Sequence, residues 1–387
     1  MKTRSTQNAV LALVGLTALT IYILACTASF SPDDTKVVYP AFDGPSGRLG
    51  TAVYNRETAR SETLFLPVDL GGGTTNNLKT PVLRPQWLDD GRRVLVAWGS
   101  DNDLTLALVP CSASGSVKLF LRLLKENSDG AWLGVPIPVV GERAFIRSDD
   151  KEVLRLDLRT GEATRHQFTG EASEISLLPE AGDQELFYLE GHERGVFGRL
   201  NPQTFERTPL FGFTNKLADG SFFAYDETGK HLAFVEEAKE EPRVVLLEDG
   251  KAVFTRTLDT KGGKLGFGNA VFSRKGDVLL GGYQLIAAGQ TNSSFGLIEI
   301  PLNNAPVRMT PLVARVNTTE EAAAFYFQIG VSHDGKTAAA SSAYLACAAA
   351  DFKPEDCALF LVDLRDARRK VTRVLIPLPA SRPSPVK

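Results

Sequence analysis

Beyond residue 30 the chain alternates short apolar runs with short polar turns, and the turns repeat. A turn rich in Asp, Gly and Lys precedes an apolar stretch at Ser31-Pro32-Asp33-Asp34-Thr35-Lys36, and again at Leu88-Asp89-Asp90-Gly91-Arg92-Arg93. It returns at Tyr225 to Lys230, Ser273 to Asp277 and Ser332-His333-Asp334-Gly335-Lys336, with weaker copies at Pro179 to Gln184 and around Gly141-Glu142-Arg143. A second polar turn follows each: Asn55 to Thr58, Ser112 to Gly115, Asp157 to Gly161, Pro202 to Thr204, Glu248 to Gly250, Leu302 to Asn304 and Arg365 to Ala367. The runs between them are β-branched and aromatic, which is the pattern of strands joined by hairpins.

About seven units recur at roughly 45 to 60 residues, the spacing of propeller blades. A four-stranded antiparallel sheet cannot cover both of its faces alone. Packed radially, each blade buries its faces on two neighbours and leaves only short edges. The pattern therefore predicts an all-β chain folded as a single β-propeller of seven blades with four antiparallel strands each, six or eight being the alternatives. The Ser/Leu-x-Asp-Gly-Lys turn before an apolar strand resembles the repeats of TolB-like and WD-type propellers. The turns have a local mechanism: Asp or Asn oxygens accept from backbone N–H groups two residues on, and Gly tolerates positive φ. On that basis Asp34, Asp90 and Asp334 are turn formers and not catalytic acids.

The first 30 residues follow another pattern. Lys2 and Arg4 precede an apolar run from Ala9 to Ala25, and no charge occurs between Arg4 and Asp33. That is the layout of an export signal. The run ends in Ile23-Leu24-Ala25-Cys26, which resembles the bacterial lipobox. The resemblance implies a lipidated Cys26 as the mature N-terminus, and Thr27 is not the aspartate that would retain such a protein at an inner membrane. Two alternatives stand beside it: an uncleaved anchor helix, since about 20 apolar residues span a bilayer, and an ordinary secreted chain. All three export the remainder into an oxidising compartment, and the lipobox resemblance implies a lipid-anchored place in the bacterial cell envelope, at the outer membrane of a Gram-negative cell. Residues 1–25 are then the signal, 26–30 the lipidated cysteine and tether, 31–377 the propeller and 378–387 a Pro-rich tail. The tether to Ser31 spans at most roughly 15 Å, so the disc lies against the membrane or stands edge-on to it.

If the strands of a blade run a to d from the axis outward, the repetitive a–b and c–d turns share one face. The b–c loops and d–a connections share the other, and they read as long and irregular: Pro67 to Pro85, Trp98 to Asp103, Leu123 to Pro136, Glu190 to Gly195, Glu236 to Arg243, Asp259 to Gly268, Gly281 to Phe295, Ala314 to Phe325 and Ala343 to Cys357. Binding residues concentrate on loops held by a rigid scaffold. The candidate binding face therefore carries Trp98, Asp101, Asp103, Trp132, His192, Glu193, Arg194, Tyr283 and Tyr344. In an exported chain Cys347 and Cys357, ten residues apart, are expected to form a disulfide worth roughly 2 to 3 kcal/mol, with Cys111 left over.

Chemistry is sparse. With 387 residues, 34 Gly, 22 Phe and a net charge of −3, the chain has no basic field for nucleic acid. It has 4 His, 4 Cys and 2 Met, and no metal site or cofactor is expected. There is no zinc-protease, nucleophile-elbow or phosphate-loop motif; Gly71-Gly72-Gly73 is a connector, and Ser148 to Lys151 is a hairpin tip. No room is left after unit seven for a fused hydrolase. The expected function is a monomeric, membrane-tethered, non-enzymatic propeller that binds an envelope protein, a peptide or a glycan on its long-loop face. The alternative is a propeller enzyme of lactonase, phytase or lyase type, with Asp101, Asp103, Glu190, Glu193 and Glu236 gathered at the central channel, often around Ca²⁺. A third possibility is an envelope scaffold acting through its flat sides.

Overall fold

The computed structural model describes residues 28–43, 48–65, 82–88, 90–100, 103–111, 117–124, 137–149, 151–168, 175–178, 186–191, 195–214, 223–226, 228–236, 241–317, 327–343, 345 and 352–377. They form seven four-stranded antiparallel sheets. Blade 1 holds β1 (Ser29–Phe30), β2 (Lys36–Asp43), β3 (Arg48–Asn55) and β4 (Arg60–Phe65). Blade 2 follows with β5 (Val82–Trp87), β6 (Arg93–Ser100), β7 (Asp103–Pro110) and β8 (Lys118–Leu124). In blade 3 the strands are β9 (Val139–Val140), β10 (Arg143–Asp149), β11 (Glu152–Asp157) and β12 (Ala163–Gln167). Blade 4 comprises β13 (Ile175–Leu178), β14 (Leu186–Glu190), β15 (Gly195–Leu200) and β16 (Arg207–Phe213). Blade 5 has β17 (Phe223–Tyr225), β18 (His231–Glu236), β19 (Arg243–Glu248) and β20 (Lys251–Thr257). Blade 6 has the longest strands: β21 (Lys264–Phe272), β22 (Val278–Ile286), β23 (Ser293–Pro301) and β24 (Arg308–Val316). β25 (Gly330–Val331), β26 (Thr337–Ser341), β27 (Ala358–Asp363) and β28 (Val371–Leu375) complete blade 7.

Burial follows from radial packing. The middle strands are covered on both faces, as in β14 and β18, so nearly every residue there is apolar. The outer strands face solvent and carry polar residues, as in β12 and β20. Between blades the core divides into wedges. Val38, Trp87, Val94, Val96, Ala107 and Val109 fill the gap between blades 1 and 2. Phe145, Val153, Ile175, Leu177, Tyr188 and Phe205 fill that between 3 and 4. Phe187, Phe197, Leu232, Phe234 and Val245 do the same for 4 and 5.

Every blade is built from four strands consecutive in sequence, the first and last included. The ring is therefore closed by side chains between blades 7 and 1. The Asp34 carboxylate accepts from the backbone N–H groups of His333 (2.8 Å) and Asp334 (2.9 Å) and lies 3.0 Å from His333 Nδ1. Arg56 donates to Thr337 Oγ1 at 3.0 Å, and Ser341 donates to the Pro40 carbonyl at 2.8 Å. Asp34 is a turn residue as expected, its N–H donating to the Ser31 carbonyl at 2.8 Å, and the seam is an added role. In its turn the N–H-accepting role belongs to Asp33, which takes the Thr35 N–H at 3.1 Å. Asp34 sits at φ 58°, where the last copy has Gly335 at φ 69°. Asp90 and Asp334 are turn formers as expected: Asp90 accepts from Arg92 and Arg93 N–H, and Asp334 from Lys336 N–H.

Two loops expected to be long are not. β6 runs to Ser100 and pairs there with Asp103, where β7 starts. In the stretch from Gly281 to Phe295, only 287–292 lie outside β22 and β23. Alternating apolar residues continue through Tyr283 and Leu285, so the strands simply extend.

No disulfide is present among the described residues. Cys357 is fully buried, directly after the 3₁₀ turn Pro354–Asp356, while Cys347 lies outside the described residues. Cys111 is partly buried, and that burial pushes its thiol up to about 11. Among the described residues no helix is long and apolar enough to cross a membrane; the apolar run 9–25 and Cys26 lie outside them.

Candidate functional site

Three of the residues expected on the loop face, Trp98, Asp103 and Tyr283, fall among the described residues. Trp98 lies in β6 and Asp103 opens β7. Tyr283 lies in β22 and is only 2% exposed, so it is a core residue and not a surface aromatic. Burial pushes its phenol up to about 12 despite a hydrogen bond with Ser294. Asp101, Trp132, His192, Glu193, Arg194 and Tyr344 lie outside the described residues. Two carboxylates named for a catalytic channel are spent within their own blades. Glu190 pairs with Arg207 at 2.9 Å, and Glu236, 8% exposed, pairs with Arg243. Among the described residues no three His, Cys, Asp or Glu side chains converge to hold a metal ion.

The loop face is also where the chain joins the disc. β1 leads into the turn 31–35, so its opposite end, at Ala28, points to the loop face. Ala28 is fully buried. A Cβ built on Gly330 would lie 2.0 Å from the Ala28 carbonyl oxygen. Only glycine permits that approach, which fixes Ala28 against the first strand of blade 7.

On the opposite face the turns interlock through basic side chains. Arg155 of blade 3 donates to the Gln203 carbonyl of blade 4 at 2.9 Å. Arg199 of blade 4 donates to the Thr228 carbonyl of blade 5. Arg256 of blade 5 reaches the carbonyls of Asn303 and Ala305 in blade 6 at 3.2 and 2.6 Å. Arg369 of blade 7 forks onto Glu299 of blade 6 at 2.9 and 2.7 Å.

A recess opens in this surface among the described residues. The a–b turns at residues 31–35, 88–92, 226–230, 273–277 and 332–336 take five residues each, whereas blade 3 connects β9 to β10 with Gly141 and Glu142 alone. Gly141, at φ 56°, makes that two-residue turn. The short turn leaves a cleft of about 320 Å³ lined by Val140, Gly141, Glu142, Arg143, Asp157, Arg159 and Gln203. Its walls are held from behind. Arg93 of blade 2 forks onto Glu142 at 2.6 and 3.2 Å. Asp157 Oδ1 accepts the N–H groups of Arg159 and Thr160. The Thr160 N–H is the largest influence holding its carboxyl below the usual range. Lys118 donates to the Arg159 carbonyl. Asn201 Oδ1 accepts the N–H groups of Gln203 and Thr204, and Phe205 behind them is buried beneath Arg155, whose guanidinium lies 5.4 Å from the ring. The guanidiniums of Arg143 and Arg159 and the Gln203 carboxamide have no hydrogen-bond partner among the described residues. The sequence signal for this recess was the irregular Gly141-Glu142-Arg143 copy of the turn, visible only as a weak repeat.

No protein-family model matches the chain, and no curated protein matches it. Among solved structures, a chain of the mitotic checkpoint complex is 12% identical, covering 83% of this chain and 84% of that one, with a TM-score of 0.48. Kuenenia stuttgartiensis hydrazine synthase is 12% identical over 71% of this chain and 74% of that one, at a TM-score of 0.48. The Dos1 propeller is 13% identical over 81% and 88%, at 0.46.

Proposed function

We propose that the protein is an exported, lipid-tethered, non-enzymatic β-propeller of the bacterial cell envelope that binds a protein, peptide or glycan partner. The observation that carries this reading is the burial of Ala28. It follows the lipobox-like Cys26 by two residues, so a lipid on Cys26 would sit within about 8 Å of a fixed point of the disc. That point lies on an innermost strand. The rim is three strand spacings away, roughly 14 Å, too far for so short a tether to let the disc stand on edge. The loop face then lies toward the bilayer and the turn face toward any large partner, which moves the partner surface from the long loops to the turns. The pairing of Glu190 and Glu236 with arginines favours binding over carboxylate catalysis.

Metabolic labelling with a palmitate analogue tests the tether. Wild-type chain is expected to take up label and fractionate with membranes, and Cys26→Ser to do neither. A Cys26→Ser chain that stays membrane-bound would make residues 9–25 an uncleaved anchor.

A further inference from the structure

We infer that the cleft between blades 3 and 4 recognises a carboxylate-bearing peptide segment, an aspartate or glutamate side chain with its adjacent peptide group. This rests on the binding reading above and names the partner chemistry. Arg143 and Arg159 line the cleft, their guanidiniums without a hydrogen-bond partner among the described residues, and a guanidinium fork matches a carboxylate in plane and spacing. The acidic groups beside them leave both forks open, although Arg159 also acts by charge on the Asp157 carboxylate. Glu142 is held by Arg93, and one Asp157 oxygen is engaged by the turn's own N–H groups. The carboxamide of Gln203 offers both a donor and an acceptor, the pair a backbone amide needs.

The same geometry argues against a phosphate-rich ligand. Asp157 borders the cleft, and its charge disfavours a polyanion more than a single carboxylate. The volume, about 320 Å³, sits at the small end of ligand sites, enough for one side chain and a peptide unit. The walls are rigid before anything binds, since both c–d turns are tied by Asx hydrogen bonds and by Lys118 and Arg155 from neighbouring strands. Little ordering cost is left to be met on binding.

The test is fluorescence anisotropy on the full chain in detergent, with two labelled peptides, one alternating glycine and glutamate, the other glycine and glutamine. The glutamate peptide is expected to bind saturably and its glutamine counterpart at least about tenfold more weakly. Arg143→Gln and Arg159→Gln should each weaken the glutamate peptide by about tenfold, while Lys275→Gln on blade 6 leaves it unchanged. Circular dichroism confirms that each variant keeps its sheet. Equal binding of both peptides, no saturable binding, or indifference to both arginine variants would overturn the inference, as would displacement of the peptide by low concentrations of inorganic phosphate. The assay needs no lipid on Cys26. A chain that binds peptide but takes up no palmitate keeps the cleft and loses the tether, and the reverse result does the opposite.

Discussion

Asp34 shows how one side chain can serve the whole ring. It occupies the position of a turn glycine, at φ 58°, where a non-glycine residue is strained. Its carboxylate crosses the closing seam to a turn 299 residues away. Replacing it tests the two effects against each other. Asp34→Ala removes the cross-seam acceptor and keeps the strained φ, and is expected to cost about 1.5 to 3 kcal/mol. Asp34→Gly removes the same acceptor but relieves the backbone, recovering up to about 1 kcal/mol. Urea unfolding should rank wild type above Asp34→Gly above Asp34→Ala; an alanine variant as stable as wild type, with the glycine variant more stable than both, would mean the seam contact contributes nothing. The sequence could not reveal this role. It reads Asp34 as one more turn residue, because turn chemistry is local and the partner is distant.

At the level of elements, strands and turns were readable because their causes are local. Period-two apolar runs and Asx turns are complete within a few residues, and blade after blade repeats them. What joins neighbouring blades was not readable. The outer strand β12 illustrates this: His166 stacks on Phe205 of blade 4, ring centroids 4.3 Å apart and 4° from parallel. Burial, then the charges of Arg155 and Arg207, lower the His166 pKa from its ordinary 6.5. The folded chain therefore resists a proton that the unfolded chain accepts once the pH falls below about 6.5. The stacking contribution is complete above that value and declines as pH drops toward the folded pKa. His166→Phe should keep the stack and remove this dependence, so its thermal midpoint should fall less than wild type's between pH 7 and 5. Parallel profiles for the two proteins would show that the imidazole's charge does not couple to this contact.

For the whole molecule, seven blades in sequence order were legible, since the number of units and their spacing leave few ways to bury every sheet face. The place of Tyr283 was not. Tyr283, expected in a loop, lies inside a strand because the apolar alternation continues past the glycines at 281 and 282, and Gly282 in turn admits the Phe327 carbonyl, which a Cβ there would meet at 1.8 Å. The cleft was missed for the opposite reason: it is made by a turn that is too short, a defect in a repeat and not a motif.

The pose of the disc joins these scales, and hydrogen exchange on the lipid-tethered chain in vesicles, compared with the same chain in detergent, tests it most directly. With the loop face against the bilayer, amides of residues 258–263 and 287–292 should exchange more slowly in vesicles, while those of 201–206 and 302–307 on the turn face should be unchanged. Slower exchange on the turn face, or equal exchange on both, would contradict the account.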